Sequence, residues 1–428
     1  MNDVLILASV VLLVLLFLKT PVFIAILAGS MVYFVMNPDI NSVIFAQKTI
    51  TGTENISLLA IPFFICGGIL MNYSGVTARI MDLCEALTGR MPGGLAQVNV
   101  LLSTLMGGLS GSNLADAAME AKMLVPIMEE KGYTKSFASV VTAASAIITP
   151  IIPPGIAMIL YGCIADVSIG KLFTSGLGVG ILLTASMMLL VHILSVRAGY
   201  KPIRTEPLQP GELGKSLKAA ILPLLLPLVI IGGIRAGAFT ATESGTVACV
   251  YALSLGLAFK EMKLKHIIAS CRETVVSSSS IMLIIAAASV FSWVLTRERI
   301  PQAMAEWMIR TIDNKYVFLI VINMVLLVVG MFVEGNASMI VLVPLLHPIA
   351  VAYGIDPIQF AMVFIFNSAI GCLTPPMGTL MFVTCGITKC KTKDFIKDSL
   401  PYYLMFLVVL ALMTFVPFFT TGLVNLVY

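Results

Sequence analysis

The chain has 428 residues, 59% of them hydrophobic and 11% charged, with a net charge of +4. A mean hydropathy of +1.02 leaves little room for a soluble domain and implies an integral membrane protein. The small positive balance, with no basic tract interleaved with aromatics, excludes a nucleic-acid-binding design, and the eight cysteines, which lack CxxC spacing, read as packing residues.

Taken in chain order, Val4–Leu18 and Val22–Met36 are apolar runs split by Lys19-Thr20-Pro21. As one helix they would be about 50 Å long, too long for a hydrocarbon core of about 30 Å, so two helices or one sharply broken helix is expected. No basic region or small-residue cleavage site marks Met1–Phe17 as a removable signal. A polar connector, residues 37–56, leads to a helix over 57–72 with Pro62 inside it. In Val76–Gly89, Ile80, Leu83, Cys84 and Leu87 share one face, while Arg79, Asp82 and Glu85 lie elsewhere. That pattern predicts a helix lying at the membrane interface.

A re-entrant hairpin follows at about 95–128. Its centre, Gly107-Gly108-Leu109-Ser110-Gly111-Ser112-Asn113-Leu114-Ala115-Asp116, places small polar residues and a carboxylate where lipid tolerates neither. Irregular backbone at that depth persists only where protein covers it or a cavity is lined by it. The expected unwinding is at Ser110–Asn113. A charged loop at 129–135 precedes a broken helix at about 137–169, interrupted at Thr149–Gly155, and a long helix over 172–196 runs to a polar linker at 197–218. The second half repeats the plan. Helices are expected at 217–234 and 242–259, then a basic loop, a helix at 275–295 and a second interfacial helix at 300–312. A hairpin at about 316–350 breaks near Gly330–Asn336. A helix at about 357–388 is broken at Gly371–Gly378, and one at 400–420 closes the chain.

The halves echo each other in detail. Asp116 stands ten residues before Pro126, as Glu334 stands ten before Pro344. Thr149-Pro150-Ile151-Ile152-Pro153-Pro154 is answered by Gly371-Cys372-Leu373-Thr374-Pro375-Pro376. The two offsets, 218 and 222 residues, point to an internal duplication with repeats at 1–205 and 206–428. With the linker placed in the cytoplasm, 18 of the Lys and Arg residues, from Lys19 to Lys397, fall inside and seven outside. That bias agrees with the positive-inside rule. It makes the first hairpin enter from the cytoplasm and the second from outside, so the repeats are inverted, and both termini lie on the outer side.

Inverted repeats with broken helices meeting at the midplane are the signature of a secondary transporter. Unwound carbonyls coordinate a cation without adding charge, and half-helix N-termini favour an anion. Ser110, Ser112, Thr149, Ile152 and Pro154 offer one oxygen cage for sodium, and Gly371, Thr374 and Pro376 its counterpart. Asn113, Asp116, Glu334 and Asn336 form the neighbourhood of the substrate or ion. Plainer readings stand beside these. Gly and Ser also serve close helix packing, and Asp116 and Glu334 also suit water-exposed caps. The residues Thr240–Glu243 also suit a helix N-cap, and the three histidines a structural role.

The runs GLSGSNLADAA, IIPPGIAMILYG, LTPPMGTLMFV and AGAFTATESG together resemble the large membrane subunit, DctM-like, of tripartite ATP-independent periplasmic (TRAP) transporters, over essentially the whole chain. The resemblance implies an all-α polytopic protein working by an elevator motion, not an enzyme, in the bacterial inner membrane. It implies sodium-driven import of an organic acid such as a C4-dicarboxylate or sialic acid. It also implies a small four-helix membrane partner, here a separate chain, and a periplasmic substrate-binding protein. Ser110, Ser112, Thr149, Ile152 and Pro154 match the family's first sodium site by motif. Members often carry Gly or Ala where Thr149 stands, and Asp where Glu334 stands. A stand-alone sodium/dicarboxylate carrier is one alternative. An intramembrane serine protease is another, on the Gly108-Leu109-Ser110-Gly111 pattern alone.

Overall fold

The computed structural model describes residues 3–18, 20–206, 211–312 and 314–428; Lys19 of the cytoplasmic tally and positions 207–210 of the linker fall outside them. Every described element is helical. Helices α1 (Asp3–Phe17) and α2 (Val22–Met36) are separate and pack on each other, with Pro21 at the N-cap of α2. Then come α3 (Val43–Thr51), a 3-10 turn at Ile56–Leu59, α4 (Ala60–Tyr73) and α5 (Val76–Thr88). The first hairpin is α6 (Gly94–Ser110) and α7 (Asn113–Glu130). The first broken helix is α8 (Lys135–Ser145), a 3-10 turn at Thr149–Ile151 and α9 (Ile156–Ala165), bent by 41°. Helices α10 (Ile169–Ala198), α11 (Glu212–Arg235), α12 (Ala241–Ala258), α13 (Leu264–Arg297) and α14 (Ile300–Thr311) follow.

The second hairpin is α15 (Lys315–Phe332) and α16 (Gly335–Ala352), and the second broken helix is α17 (Pro357–Leu373) and α18 (Thr379–Thr388). Helices α19 (Thr392–Phe415) and α20 (Phe418–Val427) end the chain. Among the described residues seven helical stretches are long and apolar enough to cross a membrane, and the bent pair makes an eighth.

The broken helices form the centre. Helix α17 is buried from Ile358 to Leu373 and α8 from Phe137 to Ser145, and a helix covered all round has to be apolar or polar-satisfied all round. Its buried amides use their N–H groups to reach neighbouring helices. Gln359 donates through Nε2 to the carbonyls of Met413 and Thr414, at 3.1 and 2.9 Å. Asn367 donates through Nδ2 to Oδ1 of Asn323, at 2.7 Å. In the first half Asn99 donates to Thr142 Oγ1, at 2.7 Å, and accepts from Ser145 Oγ, at 2.9 Å. Each hairpin's entering helix is therefore pinned to its broken helix by an Asn, at Asn99 and at Asn323.

An outer layer is built from α1–α4 and α11–α13. Helix α12 turns a stripe of Ser244, Gly245, Ala248, Ala252 and Gly256 inward, and it lies against α4. Small residues at that spacing let helix backbones approach closely where no hydrophobic drive separates helix from lipid. Thr240 and Glu243 close a capping box at the N-terminus of α12, at 3.3 and 2.7 Å, which is the plainer of the two readings of that motif.

Several expectations are corrected. The polar connector holds a helix, α3, packed on α13. The basic loop is shorter than expected: from Leu264 onward the chain is helical, and α13 runs 34 residues. Its Lys and Arg residues suit a helix whose polar stripe faces a cavity instead of lipid. The linker is shorter than expected, because α11 starts at Glu212. The closing segment is two helices, parted at Val416-Pro417, since proline cannot donate within a helix interior. The apolar face of α5, expected to lie at the membrane interface, is largely covered by the chain itself. Val76, Ile80, Leu83 and Cys84 are buried in the chain's own core against α6 and α11, while Leu87 is 51% exposed.

Candidate transport site

Both hairpins come to a tip in the same place. The α6–α7 break occupies only Gly111 and Ser112. Gly111 has φ +63°, the left-handed region that favours glycine, and its backbone N–H closes α6 on the Gly107 carbonyl, at 3.1 Å. Ser112 is extended and caps α7, its Oγ accepting from the Ala115 N–H at 3.4 Å. In the second hairpin the break is Val333 and Glu334. Glu334 caps α16: Oε2 accepts from the Ala337 N–H at 3.4 Å, and Oε1 accepts from Asn336 Nδ2 at 2.8 Å.

Helix boundaries change the register in which the two halves match. Helix α16 begins and ends 222 residues after α7, the offset that also relates Thr149 to Gly371 and Pro154 to Pro376. Glu334 is therefore the counterpart of Ser112, each an N-cap, and not of Asp116. The sequence comparison matched Pro126 to Pro344. Helix α16 holds two prolines one turn apart, and it is Pro348 that shares the helical position of Pro126. Asp116 corresponds to Ser338.

Each tip leans on its own broken helix. A Cβ added to Gly107 would lie 2.9 Å from Cα of Thr149, and one on Gly108 would lie 2.7 Å from the Pro153 carbonyl oxygen. In the second half the same closeness joins Gly330 and Gly371, where a Cβ on Gly371 would come within 2.5 Å of the Gly330 Cα. Asp116, 1% exposed, accepts from Thr149 Oγ1 at 2.9 Å, so its carboxylate ties the returning helix to the break. It is no exposed cap. Four residues further along α7, the fully buried Glu120 accepts from Ser103 Oγ at 2.7 Å across the hairpin.

The breaks expose the backbone groups a cation needs. Among the described residues, the carbonyls of Ile152, Pro153 and Pro154 accept no hydrogen bond. The same holds for those of Thr374, Pro375 and Pro376. Both Pro-Pro bonds are cis. The Gly371 carbonyl is already used once, by the Thr374 N–H at 2.9 Å, and Thr374 Oγ1 donates to the Ile370 carbonyl at 2.8 Å.

Between the tips lies a cavity of about 860 Å³. Ser110, Ser112, Asn113, Glu334 and Asn336 line it, whereas Asp116, Thr149, Ile152, Pro154, Gly371, Thr374 and Pro376 are not among its lining residues. Sequence reasoning missed the opposite wall. Lys265, Arg272, Glu273 and Ser277 of α13 face the cavity, and their spacings of seven, one and four residues, which fit one face of a helix, were the available signal. No histidine meets Ser110 among the described residues. His347 pairs with Tyr161 at 2.8 Å, and His266 stacks on Tyr73.

Residues 9–419 match the family model described as the tripartite ATP-independent periplasmic transporter, DctM component. The chain belongs to this family. The sialic acid TRAP transporter large permease SiaM of Vibrio cholerae is 37% identical, over 95% of each chain. The 2,3-diketo-L-gulonate TRAP transporter large permease YiaN of Escherichia coli is also 37% identical, over 87% of this chain and 88% of its own. The C4-dicarboxylate TRAP transporter large permease DctM of Pseudomonas aeruginosa is 35% identical, over 93% of each. A likeness in fold alone, at 14% identity, links it to two solved transporters. These are YdaH of Alcanivorax borkumensis, with a TM-score of 0.53 over 86% of each chain, and MtrF of Neisseria gonorrhoeae, with 0.54 over 87% and 83%. A DctM component is a multi-pass membrane permease subunit of a tripartite transporter and not an enzyme, so neither the protease nor the stand-alone carrier is favoured.

Proposed function

We propose that this chain is the large subunit of a sodium-coupled importer of an organic acid in the bacterial inner membrane. The observation that carries the reading is the meeting of two hairpin tips at one cavity, each backed by a helix break with unengaged carbonyls. The relatives are named for sialic acid, 2,3-diketo-L-gulonate and C4-dicarboxylates, all anionic acids, and the cargo class is taken from them. Sodium sits behind the first tip, among Ser110, Ser112, Thr149, Ile152 and Pro154, and behind the second, near Gly371, Thr374 and Pro376. Asn113, Asp116, Glu334 and Asn336 shape the neighbourhood that senses the cargo.

The repeats, 1–205 and 206–428, are inverted in the membrane, with both termini periplasmic. Hairpins and broken helices move together as an elevator against the outer layer. Sodium binding rigidifies the breaks, and only a site with its ions in place holds the tips in the shape the cargo needs. A small four-helix membrane subunit braces the outer layer, and a periplasmic binding protein delivers the acid. A binding protein with a micromolar dissociation constant contributes about 8 kcal/mol of capture free energy, which docking and ion binding must offset at release. Vesicles lacking either partner are expected to take up cargo at background rates. Robust uptake by the purified chain alone would overturn the tripartite part of this reading.

A further inference from the structure

Four charged side chains line the cavity between the tips, and they are not equally occupied. Glu273 accepts from Tyr73 Oη at 2.9 Å, and both oxygens of Glu334 are engaged within its own hairpin. Arg272 and Lys265, on the facing side of α13, have no hydrogen bond, ion pair or aromatic partner among the described residues. Seven residues apart, they lie on one face of the helix, about 10 Å along its axis. Around them the wall is apolar, with Ile65, Ile69, Ile268 and Val276. Both carboxylates are engaged by neutral donors, whereas neither cation has a partner among the described residues, so Arg272 and Lys265 are the groups left to meet an anionic ligand.

We infer that Arg272 is the carboxylate-receiving group of this cavity, with Lys265 as the charge that draws the acid along the same wall. The inference rests on the organic-acid reading and deepens it by naming the residue that grips the acid group. A guanidinium presents paired donors that match a carboxylate, and such charge-assisted pairs are about twice as strong as neutral ones. The site is two-sided. Helix α13 packs against α2, α3 and α4 of the outer layer, whereas the hydroxyl and amide groups of Ser110, Ser112, Asn113 and Asn336 belong to the hairpins. When the hairpins move against α13, an acid held at the tips is brought to Arg272 or taken from it. Arg272 therefore acts in the state whose cavity opens along α13 and sets the preference for an anionic cargo there.

The test uses the permease purified with its small subunit in saturating sodium. Thermal unfolding is titrated with sialic acid, 2,3-diketo-L-gulonate and succinate. For whichever acid stabilises the wild type, R272Q is expected to weaken binding about tenfold or more, the loss of a charge-assisted pair. R272K should recover part of it, and K265Q should lose less. Sodium stabilisation without acid should stay unchanged in R272Q, because Arg272 lies outside the breaks, and this also shows the variant is folded. Wild-type acid affinity in R272Q would overturn the inference and leave the organic-acid reading standing. If none of the three acids stabilises the wild type, that reading falls and this inference falls with it.

Discussion

Replacing Gly371 by alanine tests the contact between the second tip and its break. The added Cβ would stand 2.5 Å from Cα of Gly330, against about 3.5–4.0 Å for a comfortable carbon–carbon contact. The neighbour is backbone, so no side chain can rotate away, and the hairpin has to retreat by about 1 Å. Overpacking of this kind costs about 1–3 kcal/mol. If the cost falls only on the state with the tip seated, the fraction of sites competent for sodium drops roughly 5- to 150-fold, and apparent sodium affinity falls with it. G386A is the matched control. It adds a Cβ that meets nothing within 4 Å, on the neighbouring helix α18. Sodium titration of uptake in vesicles should show a large rise in half-saturating sodium for G371A and none for G386A. Wild-type sodium dependence in G371A, with normal insertion, would refute the claim that this contact shapes an ion site.

Three further outcomes are expected. T149V keeps side-chain volume but removes the hydroxyl that donates to the buried Asp116; the loss is expected to cost about 1–3 kcal/mol, read as a lower unfolding temperature and weaker sodium stabilisation. Ser110→Ala should be mild in sodium titrations, since the carbonyl there survives, and a loss beyond about tenfold would show that its hydroxyl is the ligand. Single cysteines at Lys201 and Lys263 should be labelled only from the cytoplasm and those at Arg235 and Lys315 only from outside; the reverse at either pair would contradict the inverted repeats.

Much of the helical layout could be read from punctuation. Glycine and proline at 107–113, 149–155 and 371–378 mark breaks because a chain in lipid cannot leave its backbone unpaired without a reason. What the sequence hid was mostly a matter of which surface each residue meets. The α5 stripe reads as interfacial because periodicity shows a stripe without showing what covers it, and here α6 and α11 do. Arg272 looked like a loop residue because charge usually means water outside the membrane; a water-filled cavity between helices allows the same charge on a helix. The pairing of Glu334 with Asp116 failed because Pro344 and Pro348 offer two registers, and only the helix ends decide between them. Ser112 and Glu334 share a role, N-capping, that residue type alone does not reveal.

Sodium-gradient-driven uptake is the most direct measurement of the central claim. The chain, reconstituted with its small subunit and supplied with its binding protein loaded with labelled organic acid, should accumulate label only under an inward sodium gradient. A proton gradient in sodium-free buffer should give background. Equal accumulation under the proton gradient alone would contradict the account, because the oxygen cages proposed at the two breaks would then carry no coupling ion.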